Sequence, residues 1–439
     1  MALPDVSIAP LPEGEPASSL YQVTVNGSAV PVYVAKSAHG GDYAFASFAF
    51  SGTVAVTITG VAPMQNVEVL PASAGITARR EPGKLTLSLS RPCQLSIEPA
   101  GIRAPLVLLA ETIEALPPEA DAPNVVYFGP GVHTPGVIRL TSDQTLYLAA
   151  GAVVKGAVIV GNASNVLICG RGVLDSTGWL WKQGPCEFFM DVRNSSQVTI
   201  QDITLRGAFH WCLVLSRSRD VTIRNVKILN SRVPNDDAID ICNSQDVLIE
   251  NCFVRCDDDC IAIKGLSTLA GNTPAPIRNI RIRNCIFWCD RARIFLLGHE
   301  SAAPAMEDIV VSDCDIIHYV MTPFLLEPGE EMPLRNVSFQ NIRLRCNGQE
   351  DLVGIHPTVN QYMQLQRPGR VKTIDFRDIA VEGAVPANRA RISVSGADEQ
   401  HCVEDVIFAG FTVNGQAVTA DSPNVTIGRH AMGVRFSAP

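Results

Sequence analysis

The stretch "VTIQDITL" (residues 198–205) decides the fold, because its pattern returns seven times further along the chain. The later copies are "VTIRNVKI" from Val221, "VLIENCFV" from Val247, "IRIRNCIF" from Ile280 and "IVVSDCDI" from Ile309. "VSFQNIRL" from Val337, "IDFRDIAV" from Ile374 and "VIFAGFTV" from Val406 complete the set. With the first residue counted as zero, positions 0, 2, 5 and 7 are apolar in all eight. The copies are 23, 26, 33, 29, 28, 37 and 32 residues apart, the spacing of a solenoid. Alternation at 0 and 2 is a strand with one buried face. The phase then slips by one residue, which would turn positions 5 and 7 outward unless the chain bends between. Position 4 is Asp202, Asn225, Asn251, Asn284, Asp313, Asn341, Asp378 and finally Gly410. These residue types tolerate the left-handed backbone of a sharp bend. Each unit therefore reads as strand, bend, strand, and the stack as a parallel β-helix with a ladder of Asn and Asp at the bends.

Cys252, Cys285 and Cys314 share position 5, an inward site. The spacing of Cys252, Cys256 and Cys260 is also that of a metal cluster. Free Cys packs as a small hydrophobe, so an internal thiol stack is the preferred reading. Neither a metal nor a cofactor is expected.

Residues 1–118 have another rhythm. "YQVTVNGSAVPVYVA", "YAFASFAFSGTVAVTITG" and "KLTLSLSRPCQLSIEP" are alternating strands between Gly, Ser and Pro turns, without the Asn bend. They predict a small antiparallel β-sandwich domain. The Pro-rich, acidic "LPPEADAPN" (116–124) marks the boundary, and residues 119–439 form the second, all-β domain.

The chain has 439 residues, of which 46% are hydrophobic and only 18% charged, so a large ordered core is expected. A net charge of −9 without a basic cluster argues against a nucleic-acid partner. No apolar run reaches the roughly 18–20 residues of a membrane helix. The 13 cysteines are an odd number, and the first residues resemble no leader peptide. The expectation is a cytoplasmic protein, or a secreted one if a leader has been removed.

The chemistry is expected at "CDDDCIAIKG" (256–265). Aligning "DCIAI" (259–263) with "DAIDI" (237–241), "WCLVL" (211–215) and "RIFLL" (293–297) puts Trp211, Asp237, Asp259 and Arg293 in one column. His210, Asp236 and Asp258 fall in the next column. Coils of a parallel sheet are about 4.8 Å apart, so aspartates of two loops converge. They make either a solvated acidic turn or an acid/base site. Crowded carboxyls cannot all ionise easily, and a raised one can act as acid while its neighbour stays a base. Glycosidic bond cleavage needs that division of labour.

"PNDDAID" (234–240) followed by "DDDCIAIKG" (257–265) resembles the catalytic motifs of glycoside hydrolase family 28, the polygalacturonases and their relatives. The resemblance covers roughly 125–345, including "GVLDSTG" (172–178). "VYFGPGVHTPGVIRLTSDQTLYLAAGAVVKG" (126–156), behind an amino-terminal β domain, is similar to the dextranase and isopullulanase family, glycoside hydrolase family 49. Both resemblances imply a right-handed parallel β-helix that hydrolyses α-linked glycans with inversion. They imply Asp258 as general acid, with Asp237 and Asp259 holding and deprotonating water. Inversion would be served by a carboxyl separation of about 6.5–9.5 Å.

Two motifs depart from family 28. Its Gly-His-Gly is replaced by "CDRARIFLLGHES" (289–301), and its Arg-Ile-Lys by "MTPFLLEPGEE" (321–331), where Glu327 occupies the expected place of a cation. A carboxylate facing an acidic sugar is unfavourable, so a neutral sugar next to the scissile bond is expected. Arg291 and Arg293 keep a pectin-type substrate open. Trp179 and Trp181 in "GWLWKQG" suit sugar stacking or capping of the core. His210 and Trp211 precede the catalytic coil and are candidate substrate contacts. So are Asp236, Asp257 and Lys264, although the place of Lys264 along its strand suits a structural role. His299 and Glu300 read as structural. The expected partner is an oligosaccharide or polysaccharide, with release from a chain end. A β-helix lyase or fructotransferase, and a non-catalytic carbohydrate-binding β-helix, are the alternatives.

Overall fold

The bend residue of every unit has a left-handed backbone: φ lies between 49° and 69° at Asp202, Asn225, Asn251, Asn284, Asp313, Asn341, Asp378 and Gly410. This conformation is what returns positions 5 and 7 to the inside. The ladder forms in part as expected, with Asn225 Nδ2 donating to Asp202 Oδ1 at 2.8 Å and Asn341 Nδ2 to Asp313 Oδ1 at 2.7 Å. The computed structural model describes residues 5–114, 116–267, 274–349, 351–385 and 390–438.

Among the described residues, 32 strands from Val125 onward join in a right-handed parallel β-helix. Its coils have three faces. One runs through Leu213–Ser216, Ile239–Cys242, Ile261–Gly265 and Phe295–Ser301. The second runs through Ser196–Gln201, Arg219–Arg224 and Gln245–Glu250, and the third through Thr204–Arg206, Lys227–Leu229, Phe253–Cys256 and Ile286–Cys289. Val198, Ile200, Ile203 and Leu205 point into one continuous core together with their equivalents in later coils. The thiol stack is present: Cys252, Cys285 and Cys314 are fully buried, and the Cys252 N–H donates to Cys285 Sγ at 3.4 Å. Cys252 is thereby separate from Cys256 and Cys260, which gather with Cys289.

The amino-terminal strands form a six-stranded and a five-stranded sheet around their own core. Pairing is antiparallel, except that Leu106–Thr112 runs parallel to Tyr43–Phe50. The outer side of this sandwich covers the third face of the helix. Tyr33, Tyr43, Phe45, Val107 and Leu109 pack on Leu229, Phe253, Trp288 and Ile317. That cover explains why outward side chains of these short strands are apolar or ionically paired. Lys227 Nζ reaches Glu111 at 2.7 Å and Arg206 Nη1 reaches Glu15 at 2.5 Å. Arg255 lies between the rings of Tyr43 and Trp288, 4.2 and 3.9 Å from their centroids, and binds Asp290 at 2.8 Å. A buried ion pair adds little net stability, but separating one is costly, so these pairs oppose sliding of the sandwich on the helix.

Candidate active site

The site sits at the corner where the third face turns into the first. Leu213 pairs with Ile239, Ile239 with Ile261, and Ile261 with Phe295. One residue earlier, the Cys212 N–H donates to the Asp237 carbonyl, the Ala238 N–H to that of Asp259 and the Cys260 N–H to that of Arg293, at 2.8, 2.8 and 3.0 Å. Trp211, Asp237, Asp259 and Arg293 thus stand one above another, as the strand alignment predicts.

One oxygen from each of Asp237, Asp258 and Asp259 lies within 4.8 Å of the others. This is closer than the expected range of about 6.5–9.5 Å, so spacing alone does not assign inversion. The three differ in access: Asp258 is 9% exposed, Asp237 3% and Asp259 2%. Asp258 is therefore the most accessible of the three. Burial raises its pKa, and the neighbouring Asp237 raises it further against the pull of Arg291, Lys264 and Arg293. Burial likewise pushes Asp259 well up, opposed by Arg293. Among the described residues, Asp237, Asp240, Asp257, Asp258 and Asp259 pair with the cations Lys264, Arg291 and Arg293, and Asp257 also meets His39. Burial also pushes the Asp236 and Asp240 carboxyls well above the ordinary value.

The cations hold individual aspartates. Lys264 Nζ lies 2.8 Å from both Asp237 Oδ2 and Asp240 Oδ1. It also lies 3.8 Å from the centroid of the Trp211 ring. Burial would lower the Lys264 pKa, but Asp237, Asp240, Glu300 and Asp259 together hold it well above the ordinary value. Lys264 is buried and both its ion pairs are with buried aspartates, which fits the structural role its place along the strand suggests. Arg293 Nη1 approaches Asp259 at 3.3 Å, and Arg291 Nη2 approaches Asp258 Oδ2 at 2.6 Å.

Asp236 and Asp257 have their side-chain oxygens engaged within the protein. Asp236 is fully buried and accepts backbone N–H bonds from Ser231 and Asp257 at 2.7 and 2.6 Å, and from Asp258 at 3.3 Å. It ties the two aspartate-bearing loops together. Asp257 accepts from Arg291 Nε at 2.7 Å and also contacts His39 Nε2. From beneath, the Cys256 and Cys289 thiols each donate to the Asp258 carbonyl at 3.0 Å. Among the described residues, two sets are close enough to hold a metal, Asp237–Asp258–Asp259 and Cys256–Cys260–Cys289. The first is already matched by cations, and the second is engaged in thiol hydrogen bonds within the core.

Trp211 forms one wall, stacked on Phe188 at 5.2 Å and 7°, with His210 at 5.6 Å from it. His210 Nδ1 is 3.0 Å from the Glu187 carbonyl, and burial lowers its pKa. Trp179 and Trp181 differ in their surroundings. Trp179 packs edge-on against Phe209 at 5.4 Å, which is the core-capping alternative, whereas Trp181 is 44% exposed. On the far side, Glu327 pairs with His299 Nδ1, giving His299 a defined partner, and the His299 ring lies 5.2 Å from Tyr362. Asp240, Phe188 and His39 escape the sequence reading. Asp240 carries a usable signal, an outward carboxylate in an otherwise apolar strand, but His39 carries none.

Residues 138–431 match glycosyl hydrolases family 28. A probable polygalacturonase of Vitis vinifera is 26% identical over 163 residues, which are 35% of this chain and 33% of that protein. The chain thus aligns with about a third of that relative's length. Among solved structures, Dex49A from Penicillium minioluteum superposes with a TM-score of 0.73 at 14% identity, over 96% of each chain. A family 28 exopolygalacturonase of Yersinia enterocolitica gives 0.54 at 13% identity, over 99% of this chain and 97% of that one. At these identities the two structures share the fold.

Proposed function

This chain belongs to glycosyl hydrolases family 28, and from that premise we propose that it hydrolyses α-glycosidic bonds of an oligosaccharide or polysaccharide at the three-aspartate corner. The observation that carries the reading is the convergence of Asp237, Asp258 and Asp259 within 4.8 Å, with Asp258 the most exposed and its pKa raised. Asp258 protonates the leaving oxygen. Asp237 and Asp259 orient a water and take its proton. Asp237 Oδ2 is held by Lys264, while among the described residues the buried Oδ1 has no hydrogen-bond donor.

We propose inversion as well. Retention requires one carboxylate to bond the anomeric carbon directly. Asp237 and Asp259 are buried and each is paired with a cation, which disfavours that attack. The resemblance in the catalytic motifs supports the same outcome.

The sugar beside the scissile bond is proposed to be neutral, in the manner of an α-glucan. Lys264, Arg291 and Arg293 are each bound to site aspartates, and Glu327 adds a further carboxylate on the Arg293 side. A uronate placed there meets carboxylates whose partners are already taken. At an effective dielectric of about 20, two like charges 4 Å apart cost about 4 kcal/mol. A panel of neutral α-glucan oligosaccharides and oligogalacturonides tests this. The expected result is a kcat/KM at least about tenfold higher on a neutral substrate, a factor worth about 1.4 kcal/mol. Faster cleavage of oligogalacturonides, the substrate class in the relatives' names, overturns it. Release from a chain end, consistent with small oligosaccharide substrates, predicts a slow fall in the viscosity of a polymer, and a rapid fall contradicts it.

A further inference from the structure

His39 lies in the amino-terminal sandwich, 218 residues from the aspartate it touches. Its loop is not loosely laid on the helix. The Ala38 N–H donates to the Ser231 carbonyl at 2.7 Å, and Ser37 Oγ lies 3.3 Å from Ser231 Oγ. Ser231 Oγ donates to Asp290 at 2.6 Å, and Asp290 binds Arg255 beneath the Tyr43 ring. Tyr43 itself donates to the Asn230 carbonyl at 3.1 Å. The loop is therefore clamped on both sides of His39 to the same segment that carries Asp236 and Asp237. From that anchorage the His39 ring reaches Asp257 Oδ1. Asp257 Oδ2 holds Arg291 Nε at 2.7 Å, and the other end of the guanidinium holds Asp258 Oδ2 at 2.6 Å.

We infer that His39 is a positioning residue for the acid: the sandwich domain completes the active site by fixing Asp257, which orients Arg291, which sets the carboxyl of Asp258. This rests on the proposed hydrolase reading. The covering sandwich then has a catalytic task in addition to shielding an apolar face. Asp257 is 3% exposed, and both its oxygens are occupied by this chain of contacts, so its role is internal. Without His39, one oxygen of a buried carboxylate loses its partner and the Arg291 fork loses a fixed abutment. Misplacement of a reacting group by about 1 Å can reduce a rate by as much as 10²-fold.

The test compares full-length His39→Ala and His39→Gln with the parent on two substrates bearing the same sugar. One is an unactivated oligosaccharide, whose leaving oxygen needs a proton. The other is the α-glycosyl fluoride, whose leaving group needs little acid assistance. The expected result for His39→Ala is about a tenfold loss of kcat on the oligosaccharide at unchanged KM, and less than about twofold loss on the fluoride. His39→Gln, which keeps a neutral side-chain donor, recovers most of the loss. Equal losses on both substrates, or none on either, overturn the proposal. A second measurement needs no turnover: urea unfolding of His39→Ala, Asp257→Asn and the double variant. The double variant should be no less stable than Asp257→Asn, because the partner is already lost. Additive losses overturn the contact itself, whereas a parent enzyme inert on every glycan with a non-additive cycle overturns the hydrolase reading alone.

Discussion

Replacing Asp258 by Asn is expected to lower kcat on an unactivated oligosaccharide by roughly 10²–10⁴-fold, the usual contribution of a general acid. Asparagine keeps the shape of the side chain but has no proton of suitable acidity to give. The fold should survive, because the backbone of the residue is fixed independently. Its N–H donates to Asp236, and its carbonyl accepts from two thiols. The pH profile sharpens the expectation. An acid works only while protonated, so activity is present below the Asp258 pKa and is lost as the pH rises through it. Burial and Asp237 place that pKa above the ordinary carboxyl value, so the falling limb lies at higher pH than a free aspartate would give. In the variant this limb disappears along with most of the rate. Steady-state kinetics with circular dichroism of the variant checks it, and more than half the parental activity would reject the assignment.

Lys264→Met should be the most destabilising single change at the site. Its ammonium lies 2.8 Å from both Asp237 and Asp240, and all three groups are buried. Methionine fills similar volume, so packing is largely kept, but two carboxylates lose their common cation. Removing one partner of a buried pair typically costs about 3–5 kcal/mol. The protein can limit that cost by protonating a carboxyl, and a protonated Asp237 is no longer a base. Activity should therefore fall together with stability, and raising the pH should not restore it without further loss of stability. Urea unfolding at neutral pH is the check. A variant within about 1 kcal/mol of the parent, with normal turnover, would show that Lys264 is a bystander.

The coil repeat is legible from residue types because two physical requirements coincide in it. Apolar positions 0, 2, 5 and 7 must point inward, and position 4 must accept a left-handed backbone, as Asp202 and Asn225 do. The aspartate column is legible for the same reason, since a parallel stack carries its register from one coil to the next. Roles within the site are less legible. Lys264 is outward-facing on its strand, as a solvent-exposed lysine would be. It is buried because Trp211 and the aspartates of the adjoining coils close over it. Asp236 and Asp257 look like site carboxylates by position, but their oxygens are taken by backbone N–H groups, His39 and Arg291. Arg255 interrupts an apolar run with a buried guanidinium, and only the docking of Tyr43 from the sandwich accounts for it. His39 is the extreme case. Its contact depends on how two separately patterned parts of the chain pack together, and no local signal encodes that.

The central claim is that a water held by Asp237 and Asp259 attacks while Asp258 gives its proton to the leaving sugar. Proton NMR of the first-formed product, recorded before mutarotation, tests this most directly. On a neutral α-linked oligosaccharide the account predicts a β-configured reducing sugar as the initial product. An α-configured first product would mean that a side chain, and not water, bonds the anomeric carbon, and would contradict the mechanism.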